Sequence, residues 1–217
     1  MTTIKELEAI TGTLSSPGKM PCFAYSTPAF ACKTGKRLAK IKGSICSSCY
    51  ALKGNYMFPA VQAALNKRLD SLVNPIWIDY IVELIARKEK SGYFRWHDSG
   101  DLQSVEHLLN IMTVADRLPN IKFWLPTREY YMVQLAMKQR DIPDNLTIRL
   151  SALFKDQTVP PAVVQRLNLP TSGVISRKKR KDDASHVTCV AYQQEGKCGD
   201  CRACWDKTIA NVNYPEH

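Results

Sequence analysis

Eight cysteines in 217 residues are the side chains of this sequence best suited to chemistry. The C-terminal group reads Cys189-x8-Cys198-x2-Cys201-x2-Cys204-Trp205. Three cysteines separated by two residues each match the run with which ferredoxin-type loops wrap a cubane. The short spacers turn successive thiolates toward one centre, and Cys189 supplies a fourth. Structural zinc sites more often use two Cys-x2–4-Cys knuckles set well apart. Iron–sulfur is therefore the favoured reading, as a [4Fe-4S] cluster, with zinc as the alternative. His186, three residues before Cys189, is a substitute ligand.

The N-terminal group is looser: Cys22, Cys32, and the Cys-x2-Cys pair Cys46 and Cys49, followed by Tyr50. Four thiolates close a cluster completely, whereas three leave one iron open. Eight thiols favour two centres, but one centre shared by both ends of the chain is also compatible with the spacing.

Other candidates follow strands. Tyr93–Trp96 reads as a strand, and His97, Asp98, Ser99 and Asp101 come directly after it. Lys122–Leu125 is a second strand, ending in Thr127, Arg128 and Glu129; Arg128 suits a bidentate phosphate or carboxylate contact, or an ion pair with Glu129. A third strand, Leu146–Leu150, meets Ser151, and a fourth near Val174-Ile175 meets Ser176-Arg177. In parallel α/β folds the ligand site lies at the carboxyl ends of the strands, so these loops are expected to line one mouth. His107, on a helix, is expected at the surface.

The elements between them have helical periodicity. Val61, Leu65, Leu69 and Leu72 mark one helix. Asn74 and Pro75 suit the cap and first turn of the next, which ends near Gly92. Leu108, Leu109, Met112 and Ala115 mark a third; a fourth runs to about Arg140, and Pro160-Pro161 opens a short one. Strands about every 25–30 residues with helices between indicate parallel βαβ units. Four strands are too few for an eight-fold barrel. The expected fold is α/β, an open or partial (β/α) barrel forming one domain over 1–217. Its core is 56–176, flanked by Cys-rich segments 1–55 and 177–217.

Composition bounds the function. Hydrophobic residues make up 45% and charged residues 23%, which fits an ordinary globular chain. No uncharged apolar stretch is long enough to span a membrane, and the acidic start Met1–Glu8 does not resemble a signal peptide. A reducing compartment, the cytoplasm, is expected, where clustered thiols serve metals rather than disulfides. A net charge of +10 attracts polyanions. Nucleic acid or a small-molecule ligand is thus the expected partner, with Arg177–Lys181 as a basic run and Tyr25, Tyr50 and Tyr56 as stacking or core residues. The zinc alternative is a non-enzymatic protein binding nucleic acid or a host protein. No phosphate-binding Gly-rich loop, Gly-x-Ser-x-Gly elbow or His-Glu-x2-His helix is present.

The segments Lys19-Met20-Pro21-Cys22, Cys32-Lys33-Thr34-Gly35 and Ile45-Cys46-Ser47-Ser48-Cys49-Tyr50-Ala51-Leu52-Lys53-Gly54-Asn55-Tyr56, with Cys198 to Asp206, resemble the phage "gene product 88" family. The resemblance spans roughly residues 15 to 210. It implies a bacteriophage or prophage origin, hence the host cytoplasm, and names no reaction. Cys49-Tyr50-Ala51 and Trp96 to Leu102 are also similar to radical-SAM-like proteins, in which three cysteines leave one iron for S-adenosylmethionine. That likeness implies that the acidic loop faces the cluster. Thirteen residues separate Cys32 from Cys46, so the compact Cys-x3-Cys-x2-Cys motif is absent, as is a Gly-Gly-Glu segment.

Overall fold

The computed structural model describes residues 2–176 and 187–216. The basic run Arg177–Lys181 and His186 lie outside the described residues. The helices are α1 (Ile4–Thr11), α2 (Lys33–Leu38), α3 (Pro59–Ser71), α4 (Trp77–Lys88), α5 (Val105–Arg117), α6 (Tyr130–Met137) and α7 (Pro161–Leu167). The strands are β1 (Ala24–Tyr25), β2 (Tyr93–Trp96), β3 (Lys122–Thr127), β4 (Leu146–Ser151), β5 (Thr171–Ile175), β6 (Val187–Thr188) and β7 (Asn211–Pro215).

All strand pairs are parallel, in the order β1-β2-β3-β4-β5-β7-β6. The expected parallel α/β architecture is present as an open sheet. Seven strands stand among the described residues instead of four. The N-terminal segment is also more regular than its composition indicates, holding α1, β1 and α2. Pro126 and Thr127 continue β3, so the polar turn starts two residues later than expected.

Local chemistry explains the helix starts. Thr3 and Glu6 form a reciprocal capping box on α1: Glu6 N donates to Thr3 Oγ1 at 3.2 Å, and Thr3 N to the Glu6 carboxylate at 2.6 Å. Ser104 caps α5 by accepting from His107 N at 3.0 Å. Asn74 does not cap α4 directly. The helix begins at Trp77, and Asn74 Oδ1 accepts from Ile76 N at 3.1 Å, forming the turn that precedes it.

The sheet's two faces have different covers. Phe94, Trp96, Phe123, Leu125, Leu146, Ile148 and Leu150 alternate onto one face and join α1, α4, α5 and α6 in the main core. The opposite face presents Tyr93, Arg95, Trp124, Thr147 and Arg149. There Trp124 packs with Cys22 and Trp205, so residues near 20 and the C-terminal cysteine segment form the second cover.

Candidate functional site

The strand-end loops meet as the βαβ reading requires. After β2 the chain turns sharply, with His97 at φ 59° and Gly100 at φ 81°. A Cβ on Gly100 would stand 2.1 Å from Thr27 Oγ1 and 2.6 Å from Thr27 O, so only glycine allows this approach. Ser99 Oγ donates to Thr27 O at 2.9 Å, and Asp98 N donates to Ser26 Oγ at 3.1 Å. Ser99 is therefore a strut between loops. Asp101, buried, accepts from Thr127 Oγ1 at 2.6 Å and from Arg128 N at 2.9 Å, tying this loop to the end of β3. Burial pushes its carboxyl up to about 6, against these hydrogen bonds. Arg128 Nε donates to Ala152 O at 3.0 Å beyond β4.

Arg128 does not take Glu129 as a salt-bridge partner. The Glu129 carboxylate instead accepts from Thr34 N at 2.7 Å and Thr34 Oγ1 at 2.9 Å, in the first turn of α2. Cys32 is the cap residue of that helix. Ser176, the expected fourth loop, has Asp156 as its partner, and Arg177 lies outside the described residues.

Three thiols gather at this mouth. A Cβ on Gly35 would lie 3.6 Å from Cys32 Sγ and 3.7 Å from Cys46 Sγ, so both sulfurs flank one backbone position. Burial pushes the Cys32 thiol up, and Asp101, Cys49 and Cys46 push it further. The Cys46 thiol is also raised by burial; Arg128 opposes, while Cys49 and Asp101 add to the rise. Cys32, Cys46, Cys49, Asp101 and Arg128 are thus within one another's electrostatic reach.

Cys22 is not with them. It is buried beside Trp124 and Trp205, with Met20, Tyr93, Cys204 and Tyr214 adjoining. Burial raises its thiol to about 12, and Glu89 and Cys198 act in the same direction. Cys189 and Cys198 are each raised by burial and by Cys201, and Cys204, raised to about 11, also feels Cys189. The grouping by sequence is corrected from four and four to three and five. The reason is topological. Cys22 precedes β1 and Cys32 follows it, so the strand carries them to opposite ends.

The five-thiol group is held to the sheet by main-chain contacts. Cys198 N donates to Lys19 O and Cys189 N to Asn213 O, both at 2.8 Å. Trp205 Nε1 donates to Phe94 O at 2.8 Å. Arg149, fully buried on β4, spends all five N–H groups on carbonyls: Cys204 at 3.0 Å, Thr171 at 3.2 Å, Ile209 at 2.9 Å, Ala203 at 2.7 Å and Asp206 at 2.6 Å. Sequence reasoning missed Arg149 and Arg95, yet each is a charged residue in an apolar strand, Tyr-Phe-Arg-Trp and Leu-Thr-Ile-Arg-Leu. Arg95 lies 4.3 Å over the Trp124 ring and donates to His97 O at 3.4 Å. Its charge is felt by Tyr50 and Asp98 on one side and by Tyr214 and Cys204 on the other. All eight cysteines are free of disulfides. Among the described residues no three His, Cys, Asp or Glu side chains converge closely enough to hold a single metal ion.

The histidines depart from expectation. His107 is buried, not exposed, with its ring 5.4 Å from that of His97 and 6.3 Å from that of Trp77. Its Nδ1 accepts from Gln103 N at 3.3 Å. Burial lowers His107 to about 4 and holds His97 well below the usual range. Asp98 is nearer the surface, accepting from Tyr56 OH at 3.0 Å and, through its carbonyl, from Tyr50 OH. Tyr25 is a core residue, donating to Thr11 O and bonded to Ser71 and Trp77.

Fold and site together define an α/β protein with an open all-parallel sheet and thiols collected at its mouth and on its second face. A family model matches residues 3–207, and the chain belongs to the Gene product 88 family, the phage family its motifs resemble. No curated protein and no solved structure matches it. Nothing in these comparisons extends to radical-SAM proteins. No helix among the described residues is long and apolar enough to cross a membrane.

Proposed function

We propose that this phage-family chain is an iron–sulfur protein with two cluster sites of different kinds. Cys32, Cys46 and Cys49 form a three-thiolate set at the strand mouth, and four of the five thiols Cys22, Cys189, Cys198, Cys201 and Cys204 form a closed set. The observation that carries the reading is the sorting of eight unpaired thiols into these two half-buried neighbourhoods. Burial makes free thiolates costly, and coordination to iron offsets that cost by supplying positive charge. A tetrahedral zinc ion needs its sulfurs in contact with one atom about 2.3 Å away. A cubane spreads its ligands over several irons and suits a looser gathering.

A [4Fe-4S] cluster on three thiolates has one iron available to a ligand of another kind, S-adenosylmethionine or a different small molecule. Asp101 and Arg128 are the chain's own groups at that mouth. Glu129, by fixing Thr34, positions the helix that follows Cys32.

Anaerobic purification with iron, zinc and sulfide assays is the test. The expected result is a coloured protein with iron and sulfide in equal amounts, exceeding one cluster per chain. A colourless protein holding zinc without sulfide would instead establish the zinc-stapled alternative. Adding S-adenosylmethionine to the reduced protein should change its electron paramagnetic spectrum if that molecule is the ligand of the open iron; an unchanged spectrum excludes it.

A further inference from the structure

We propose that the rim around the three-thiol mouth is a docking surface for single-stranded nucleic acid. This goes beyond the cluster reading, and rests on it only in taking that mouth as the place where the strand is presented. Between Glu8 and Asp70 the chain has nine Lys and Arg and no Asp or Glu, against a net charge of +10 for the whole. The protein's positive charge is therefore concentrated in the segment that builds the mouth. Within it, Lys33, Lys36, Arg37, Lys40, Lys42 and Lys53 are all exposed.

The same segment exposes large apolar side chains that a solvated loop has no use for. Phe30 is 51% exposed, Tyr50 56%, Met57 53% and Phe58 58%. They stand on short turns, Ala29–Ala31, Tyr50–Leu52 and Gly54–Met57, and on the residue that opens α3. These turns touch one another in succession. Tyr50 and Tyr56 rings lie 5.7 Å apart, and both hydroxyls reach Asp98, which fixes them beside the strand-end loop. Tyr50 directly follows Cys49, so the rings border the thiols.

Rings interleaved with cations suit one occupant best. Single-stranded nucleic acid offers free base faces for stacking and phosphates for the lysines. A duplex hides its base faces. A membrane-seeking surface segregates its apolar and basic residues onto opposite sides, whereas here Lys33 follows Phe30 by three residues and Lys53 adjoins Leu52. A second copy of this chain would bring a like-charged surface to the patch and be repelled.

The test is fluorescence anisotropy of the full-length protein with a labelled twenty-nucleotide oligo-dT at 50 and 200 mM salt. Vesicles of phosphatidylglycerol and phosphatidylcholine, and sedimentation of the protein alone, run beside it. Binding should weaken steeply with salt, by the release of counterions. Lys36→Glu with Lys40→Glu should weaken it at least about tenfold and flatten the salt dependence. Phe30→Ala and Phe58→Ala should each cost about tenfold, as loss of one stacked base does. The proposal is overturned if oligo-dT is not held at 50 mM salt, if all variants bind like the parent, if only vesicles are bound, or if the patch is consumed by self-association. Cys46→Ser with Cys49→Ser, assayed for iron and for oligo-dT, separates this from the cluster reading. Retained binding with the iron content reduced leaves the docking surface standing, and unchanged iron with retained binding counts against the three-thiol site alone.

Discussion

His107 shares a line with Ile111 and Val114, at i, i+4 and i+7 on α5, and all three are buried. The burial was thus legible in the helical period, but the residue type argued against it. The consequence is a stability that depends on pH. Folded His107 takes its proton only near pH 4, while the unfolded chain takes it near 6.5. Below pH 6.5 protons therefore favour the unfolded chain, and stability falls until about pH 4. Within that window one such group contributes a slope of about 1.4 kcal/mol per pH unit, on the order of 3 kcal/mol in all. His97 acts in the same direction. Urea unfolding of His107→Gln at pH 5 and pH 7 should show a difference between the two pH values smaller by roughly 2 kcal/mol than in the parent. An undiminished difference would mean that His107 is not held neutral.

Elements were legible where they have length and period. β2 to β5, with the helices between them, follow from alternation and from the 3.6 repeat. The ends of the sheet do not. β1 has two residues, and β7 reads Asn-Val-Asn-Tyr-Pro, whose polarity and proline argue against a strand. What holds the C-terminal segment on the sheet is Arg149, whose guanidinium binds four carbonyls of that segment, at Ala203, Cys204, Asp206 and Ile209, and a fifth at Thr171, where β5 begins. Arg149→Met should cost at least about 3 kcal/mol in urea unfolding, because several buried carbonyls lose their donors together. Arg149→Lys keeps the charge but offers one nitrogen in place of a fork, and should recover only part of that loss. Limited proteolysis should then cut first within 199–209. Equal stability and equal resistance to protease would show that the segment is held by its other contacts.

At the scale of the molecule, the two thiol groups are unequal structural investments. Cysteine spacing raised the expectation of metal ligation, but not the three-and-five partition, because that depends on which side of β1 each residue falls. The mouth thiols stand on turns outside the main core, which is complete without them. Cys22 and Cys204 of the five-thiol group are part of the cover over Trp124, Tyr93 and Tyr214, so the second face of the sheet relies on that group's staying in place. Given clusters at both sites, Cys46→Ser with Cys49→Ser should remove iron and lower the melting temperature little. Cys198→Ser with Cys201→Ser should also remove iron, but with a fall of several degrees, since even about 1 kcal/mol shifts a chain of this size by 2–4 °C. The second variant should in addition red-shift tryptophan fluorescence, as Trp124 and Trp205 meet water, and bind a hydrophobic dye. Two variants that lose iron with equal thermal cost would place both sites on the same structural footing and refute the division between a mouth and a cover.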